Sequence, residues 1–310
     1  MIRAAALAAA LSLAALAPVV NAGEAPKLKS SAALIVDAET GEVLYDKNAA
    51  AVVPIASITK LMTAVVVLDA GLPLDEPIEI SREDLDNTRA ARMVTPLTRG
   101  VTLTRGELLQ LALMASENRA AAALGRSYPG GLDAFVAAMN ETAAELGMHD
   151  TRFVEPTGLS SDNVSSAADL AKLVIAAHDY PLIRDYSTAP SAEVRLGKRN
   201  VRFVNTNGLV RNSGWDIAVS KTGFIRQAGR CLVMQASMSA RQVVIVLLDS
   251  VGKYTRVGDA VRIRKWLELG NAASVGAHRA DASVDRRAAR RQSAAAQGHI
   301  SIQVQAAALR

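Results

Sequence analysis

An α+β fold is predicted by three features of the chain: short apolar runs near its start, three more near its end, and sequence of helical period between the two sets. Strands drawn from both ends with helices between them imply one antiparallel sheet, closed by the terminal elements and carrying a helical lobe. Residues 33–37 and 42–45 are the first two runs, and they flank Ala38-Glu39-Thr40-Gly41, which reads as a hairpin turn. Residues 61–70, 105–115, 132–146 and 167–177 then repeat apolar side chains at helix spacing. Residues 217–224, 231–237 and 243–249 read as strands, and 257–269 as a terminal helix. There is no internal repeat, and about 240 residues can bury one core with two lobes.

The two ends of the chain read differently from this body. Met1-Ile2-Arg3 precedes an Ala/Leu-rich stretch to Val20, and Val20-Asn21-Ala22 places small residues where a signal peptidase reads, so residues 1–22 are expected to be an export signal cleaved after Ala22. A single membrane anchor is the competing reading, but the apolar stretch is alanine-rich and shorter than the ~20 residues a spanning helix needs. No later segment is long and apolar enough, so the mature protein is expected to be soluble outside the cytoplasm, with no stable membrane anchor. Residues 271–310 are rich in Ala, Ser, Arg and Gln, with few large apolar residues. They read as a basic, disordered tail following a domain at 23–270.

The formal charge of +5 invites a polyanion-binding reading until it is divided along the chain. Residues 279–310 hold six arginines against two aspartates, which is +4 of that total, and the body is left close to neutral. With aromatics at 4% and no basic stripe interleaved with rings, nucleic acid is excluded as a partner. A weak contact of the tail with anionic wall polymer or lipid remains the alternative to a solvated segment. The single cysteine, Cys231, lies in an apolar run and reads as a buried core thiol. The four histidines have no metal-ligand spacing, so neither a metal nor another cofactor is expected.

Three short motifs carry the chemistry: Ser57-Ile58-Thr59-Lys60, Ser116-Glu117-Asn118 and Lys221-Thr222-Gly223. Ser57 and Lys60 are three apart at the start of an apolar helix, which puts hydroxyl and amine on one face near enough to exchange a proton. At a helix start the free N–H groups and the dipole favour developing negative charge, and the Ser57 N–H can supply half of an oxyanion hole. A free lysine, with a pKa of ~10.4, is mostly protonated at neutral pH. Burial beside another cation lowers that value, and Lys221 is the candidate cation. Ser116 and Asn118 aim the same way only if their segment is extended or a turn. Glu117 between them reads as a structural or solvated carboxylate. Lys221 and Thr222 can bind a terminal carboxylate from an edge strand, and Gly223 leaves room for an extended substrate to approach. Lys253 is a weaker candidate for the same carboxylate.

Each motif alone is common, but the three in this order mark β-lactamases and penicillin-binding proteins. From about residue 33 to 270 the chain resembles the low-molecular-mass penicillin-binding proteins, and in detail their murein D-alanyl-D-alanine endopeptidase branch. The matching text runs from Pro54 to Ala64, from Met114 to Ala121, and through Phe153-Val154-Glu155-Pro156-Thr157-Gly158-Leu159. The resemblance implies a β-lactamase/transpeptidase-like fold and a periplasmic serine DD-peptidase. It implies an acyl-enzyme on Ser57, peptidoglycan stem peptides as substrate, and β-lactam antibiotics as inhibitors. It assigns proton relay to Ser116, substrate and Lys60 hydrogen bonds to Asn118, and the second oxyanion-hole N–H to Phe224.

The same resemblance ranks the rivals. Cross-link cleavage is preferred to carboxypeptidase trimming, because the local wording matches the endopeptidase branch and the chain ends soon after Gly270, without the β-rich domain and amphipathic anchor usual in carboxypeptidases. Serine β-lactamases place a deacylating Glu-Pro pair here, but Glu155-Pro156 continues as Thr157-Gly158-Leu159. That departure favours a structural loop. A non-catalytic wall-binding module would need a broken motif, and none is broken.

Overall fold

The computed structural model describes residues 25–85, 95–239 and 241–268; the expected signal peptide, the boundary at 270 and the basic tail lie outside them. In chain order the elements are β1 (Ser30–Asp37), β2 (Val43–Lys47), β3 (Val53–Pro54), α1 (Thr59–Asp69), β4 (Pro77–Glu79) and β5 (Thr102–Thr104). They continue with α2 (Arg105–Met114), α3 (Asn118–Arg126), α4 (Gly131–Glu145), β6 (Val164–Ser165), α5 (Ala167–His178) and α6 (Pro181–Thr188). The last are β7 (Ser191–Leu196), β8 (Arg199–Val204), β9 (Asp216–Ile225), β10 (Gly229–Met238), β11 (Arg241–Ser250) and α7 (Thr255–Glu268).

The main sheet has the order β2-β1-β11-β10-β9, all antiparallel, so the first and last long strands pair with each other. Successive side chains on a strand point to opposite faces, and here both faces are covered. Ala33, Ile35, Val243, Ile245 and Leu247 pack with Ala260, Ile263, Trp266 and Leu267 of α7. Ala32, Leu34, Val36, Val244, Val246 and Leu248 face the helical lobe. Two-sided burial is why these strands are unbroken apolar runs rather than alternating ones. Cys231 is fully buried in the same core, where its thiol is pushed up to about 11 by desolvation.

β1 begins earlier than expected, because the Ser30 N–H and hydroxyl both donate to Asp259 of α7, at 2.8 and 2.6 Å. Nine of the eleven residues of α1 are buried, which makes it the central helix of the lobe. A capping box of Thr104 and Glu107 starts α2, and the Ser166 hydroxyl starts α5. β9 ends the sheet as an edge strand, and its inner end lies against the segment that leads into α1. Among the described residues, no helix is long and apolar enough to cross a membrane.

Candidate active site

Ser57 lies in a single 3₁₀ turn, Ala56–Ile58, that runs straight into α1. Ala56 has φ +49°, a left-handed backbone that a side-chain-bearing residue adopts at a cost. The surroundings hold it there. The Thr59 hydroxyl donates to the Ala56 carbonyl at 2.8 Å. A Cβ on Gly158 would fall 2.0 Å from the Ala56 oxygen, and one on Gly223 would fall 2.9 Å from the Ile55 oxygen and 3.2 Å from the Ser57 nitrogen. Two glycines therefore press backbone against the serine turn from two sides. The space that Gly223 leaves is occupied by this turn, not kept open for a substrate as the sequence led us to expect.

Lys60, one turn on, is fully buried, and its Nζ donates to Ser57 Oγ at 2.9 Å, Asn118 Oδ1 at 2.7 Å and the Thr157 carbonyl at 2.5 Å. Desolvation pushes its ammonium down to about 8, against the opposing pull of the Glu155 and Glu117 carboxylates. At that value roughly a tenth of the amine is neutral at pH 7, compared with well under a thousandth for a free lysine.

Ser116 and Asn118 meet the geometric condition set by their spacing. Ser116 is left-handed at φ +58° and Glu117 is extended, so the backbone turns sharply between α2 and α3. The Glu117 carboxylate caps α3 by accepting from the Arg119 N–H at 3.3 Å, and it also accepts from the Thr95 hydroxyl at 2.9 Å. It is a structural carboxylate, as expected. Ser116 Oγ accepts from Lys221 Nζ at 2.8 Å, a contact across 105 positions of sequence.

Lys221, also buried, gives a further hydrogen bond to the Thr222 carbonyl at 2.8 Å. Burial pushes its ammonium well below the ordinary value, and the charges of Lys60 and Arg256 push it further. Thr222 Oγ1 donates to Thr206 Oγ1 at 2.7 Å. The Phe224 ring is exposed beneath the Arg230 guanidinium, 4.5 Å from its centroid. Lys253 does not join the group: it is exposed, with its ammonium 5.3 Å from the Tyr254 ring. Arg256 reaches the motif strand instead, donating to the Gly223 carbonyl at 3.0 Å. The structure thus brings Ser57, Lys60, Ser116, Asn118, Lys221, Thr222 and Gly223 together. Arg256, Thr206 and Thr157 are added by the fold; only Thr157 had a signal in the sequence, through the Pro156-Thr157-Gly158 wording. Among the described residues, no group of three or more His, Cys, Asp or Glu side chains is placed to hold a metal ion.

A hydroxyl paired with a buried lysine beside an edge strand of an α+β body is the arrangement of the penicillin-binding DD-peptidases, the class to which the motif order pointed. The chain belongs to the D-alanyl-D-alanine carboxypeptidase family, whose profile matches residues 19–252. It is 49% identical over 251 residues to a D-alanyl-D-alanine endopeptidase of Pseudomonas aeruginosa, with 80% of each chain covered. A D-alanyl-D-alanine endopeptidase of Escherichia coli is 48% identical over 248 residues, with 79% of each covered. The crystal structure of a Streptomyces DD-transpeptidase superposes with a TM-score of 0.72 at 28% identity, covering 80% of this chain and 98% of that one. The expected fold class therefore holds.

Proposed function

We propose that the protein is a serine DD-endopeptidase that opens D-alanyl cross-links of peptidoglycan through an acyl-enzyme on Ser57. The observation that carries this is the 2.9 Å contact between Ser57 Oγ and a buried lysine with a lowered pKa. Neutral Lys60 takes the hydroxyl proton as Ser57 Oγ adds to the D-alanyl carbonyl. The oxyanion is received by the Ser57 and Phe224 backbone N–H groups. The proton that Lys60 took returns through the Ser116 hydroxyl, itself hydrogen-bonded to Lys221, to the departing amine as the C–N bond breaks, so Lys60 is again neutral and Ser116 keeps a proton; Asn118 holds the substrate and Lys60. Water then hydrolyses the ester, restoring the Ser57 hydroxyl and releasing the acid. Lys221 and Thr222 take a substrate carboxylate, and a β-lactam enters by the same route and leaves Ser57 acylated.

The endopeptidase reading is supported by the names of relatives that are 49% and 48% identical to this chain. Carboxypeptidase trimming is the alternative, favoured by the family's own description. A lactamase role is disfavoured because five protein donors already occupy the Glu155 carboxylate. The reading also includes export by residues 1–22 to the periplasm, a catalytic unit at 23–270, and a tail that catalysis does not need. The apolar cluster that closes with Trp266 and Leu267 of α7 supports that boundary.

Digesting defined muropeptides and weighing the products tests the proposal. Cross-linked dimers should yield monomers. Loss of the terminal D-alanine from uncross-linked pentapeptide, with dimers left intact, would replace this reading with the carboxypeptidase one.

A further inference from the structure

Glu155 heads the loop between the Ser116 and Lys221 motifs, and its carboxylate lone pairs point into that loop. One oxygen accepts from the Thr157 N–H and the Thr157 hydroxyl, both at 2.6 Å. The other accepts from the Gly158 N–H at 2.6 Å, the Ser160 N–H at 3.3 Å and Asn163 Nδ2 at 2.9 Å. A carboxylate has about four lone-pair sites and no proton to give, so five donors saturate it. An amide in its place would turn N–H groups towards N–H groups.

This saturated carboxylate folds the loop onto α1 at three places. The Thr63 hydroxyl donates to the Pro156 carbonyl at 2.7 Å. Asn163 Nδ2 donates to Thr59 Oγ1 at 3.1 Å, and Thr59 in turn holds the Ala56 carbonyl. Thr157, whose N–H and hydroxyl both belong to Glu155, has its carbonyl free for Lys60 at 2.5 Å. Gly158, the next residue, is the one pressed against the Ala56–Ser57 backbone.

We propose that Glu155 is a positioning residue for acylation: it shapes the 157–160 backbone so that the Thr157 carbonyl fixes the Lys60 amine and Gly158 fixes the Ser57 turn. This rests on the reading of Ser57 as nucleophile and Lys60 as base. The charged groups near Lys60 support it, since the Glu155 carboxylate, with Glu117, holds the ammonium up against desolvation, while Lys221 is itself pushed down by burial and then by Lys60 and Arg256. Removing the negative charge of Glu155 should favour the neutral amine, while removing its acceptors should misplace that amine.

The test is the second-order rate constant for acylation of the full chain by benzylpenicillin, followed across the pH range in which Lys60 titrates. In Glu155→Gln the plateau should fall about ten- to a hundred-fold, the scale of a misplaced catalytic group. The midpoint of its rising limb should move to lower pH by about half a unit, as the loss of a nearby opposite charge requires. Thr63→Val, which loosens the same loop without changing charge, should lower the plateau less and leave the midpoint in place. If Glu155→Gln does not fold, Glu155→Asp replaces it; that variant keeps the charge and should show the parental midpoint with a lower plateau. Parental rate and midpoint in Glu155→Gln would overturn the proposal, as would a fall in plateau with no movement of the midpoint, or a parental plateau in Glu155→Asp. Failure of the parent protein to acquire an adduct on Ser57 would instead overturn the reading beneath it.

Discussion

Lys60 and Lys221 are both fully buried, yet the walls around them carry opposite charge. Around Lys60 stand three oxygen acceptors and, further out, the Glu155 and Glu117 carboxylates; its ammonium settles at about 8. Around Lys221 stand a hydroxyl and one carbonyl, with Lys60 and Arg256 as charged neighbours, and its ammonium is pushed down further. Burial drives both lysines the same way, so the sign of the neighbours decides how far each goes. A base poised near the working pH is the better proton acceptor, which fits Lys60. A buried amine among cations has most to gain from an arriving anion, which fits Lys221 as the carboxylate clamp.

The sharpest way to break this division is to remove each lysine in turn. Lys60→Ala should lower the rate constant for penicillin acylation by ~10²–10⁴-fold, the usual contribution of a positioned base. Lys221→Ala should lower it about 10- to 100-fold, as loss of a hydrogen bond to a charged group does, mainly through weaker saturation. Equal effects on the limiting rate would erase the distinction.

Stability against pH probes the Lys60 side without substrate. Its folded pKa of about 8 lies below the ordinary lysine value of 10.5, so between those values the unfolded chain binds more protons than the folded one. The destabilising contribution is fully present below about 8 and is relieved as pH rises towards 10.5. Denaturant titrations of the parent minus those of Lys60→Met should therefore show stability rising with pH across that window, by roughly 3 kcal/mol in all. A flat difference would mean that Lys60 titrates normally.

The two glycines that flank the serine turn separate the same two walls. Gly158 belongs to the loop on Lys60, with φ +79° and a Cβ path blocked at 2.0 Å; Gly223 belongs to the Lys221 strand, where the nearest atom is 2.9 Å away. Gly158→Ala should cost about 2 kcal/mol or more in unfolding free energy, and Gly223→Ala about 1 kcal/mol. Both should slow acylation, Gly158→Ala the more. The smallest effect is expected at Lys253, which is exposed and stacked on Tyr254. Lys253→Ala should leave acylation within about two-fold, as surface substitutions usually do, whereas Arg256→Gln should shift the titration of Lys221 upwards by removing a cation.

What the sequence revealed follows the range of each interaction. Ser57 and Lys60 were readable as a pair because three positions on a helix fix their separation, and β10 and β11 because both faces of each strand are apolar. The contact of Ser116 with Lys221 spans 105 positions, so motif order could name its partners but not their meeting. α3 escaped notice because it is a short alanine-rich helix whose start depends on the Glu117 cap. The β7–β8 hairpin has few buried side chains, chiefly Val194 and Phe203, and so lacks a clear apolar alternation. α6 is eight residues long and starts at Pro181, too short for its period to stand out. Arg256 sits three residues beyond the lysine that the sequence favoured, and only the packing of α7 on β1, β10 and β11 brings it within reach of the Gly223 carbonyl.

The most direct test of the central claim is the site of the penicillin adduct. Purified protein treated with benzylpenicillin, digested and examined by mass spectrometry should carry one penicilloyl group on the peptide containing Ser57, and Ser57→Ala should carry none. An adduct on Ser116, or undiminished labelling of Ser57→Ala, would contradict the assignment of Ser57 as the nucleophile that Lys60 activates.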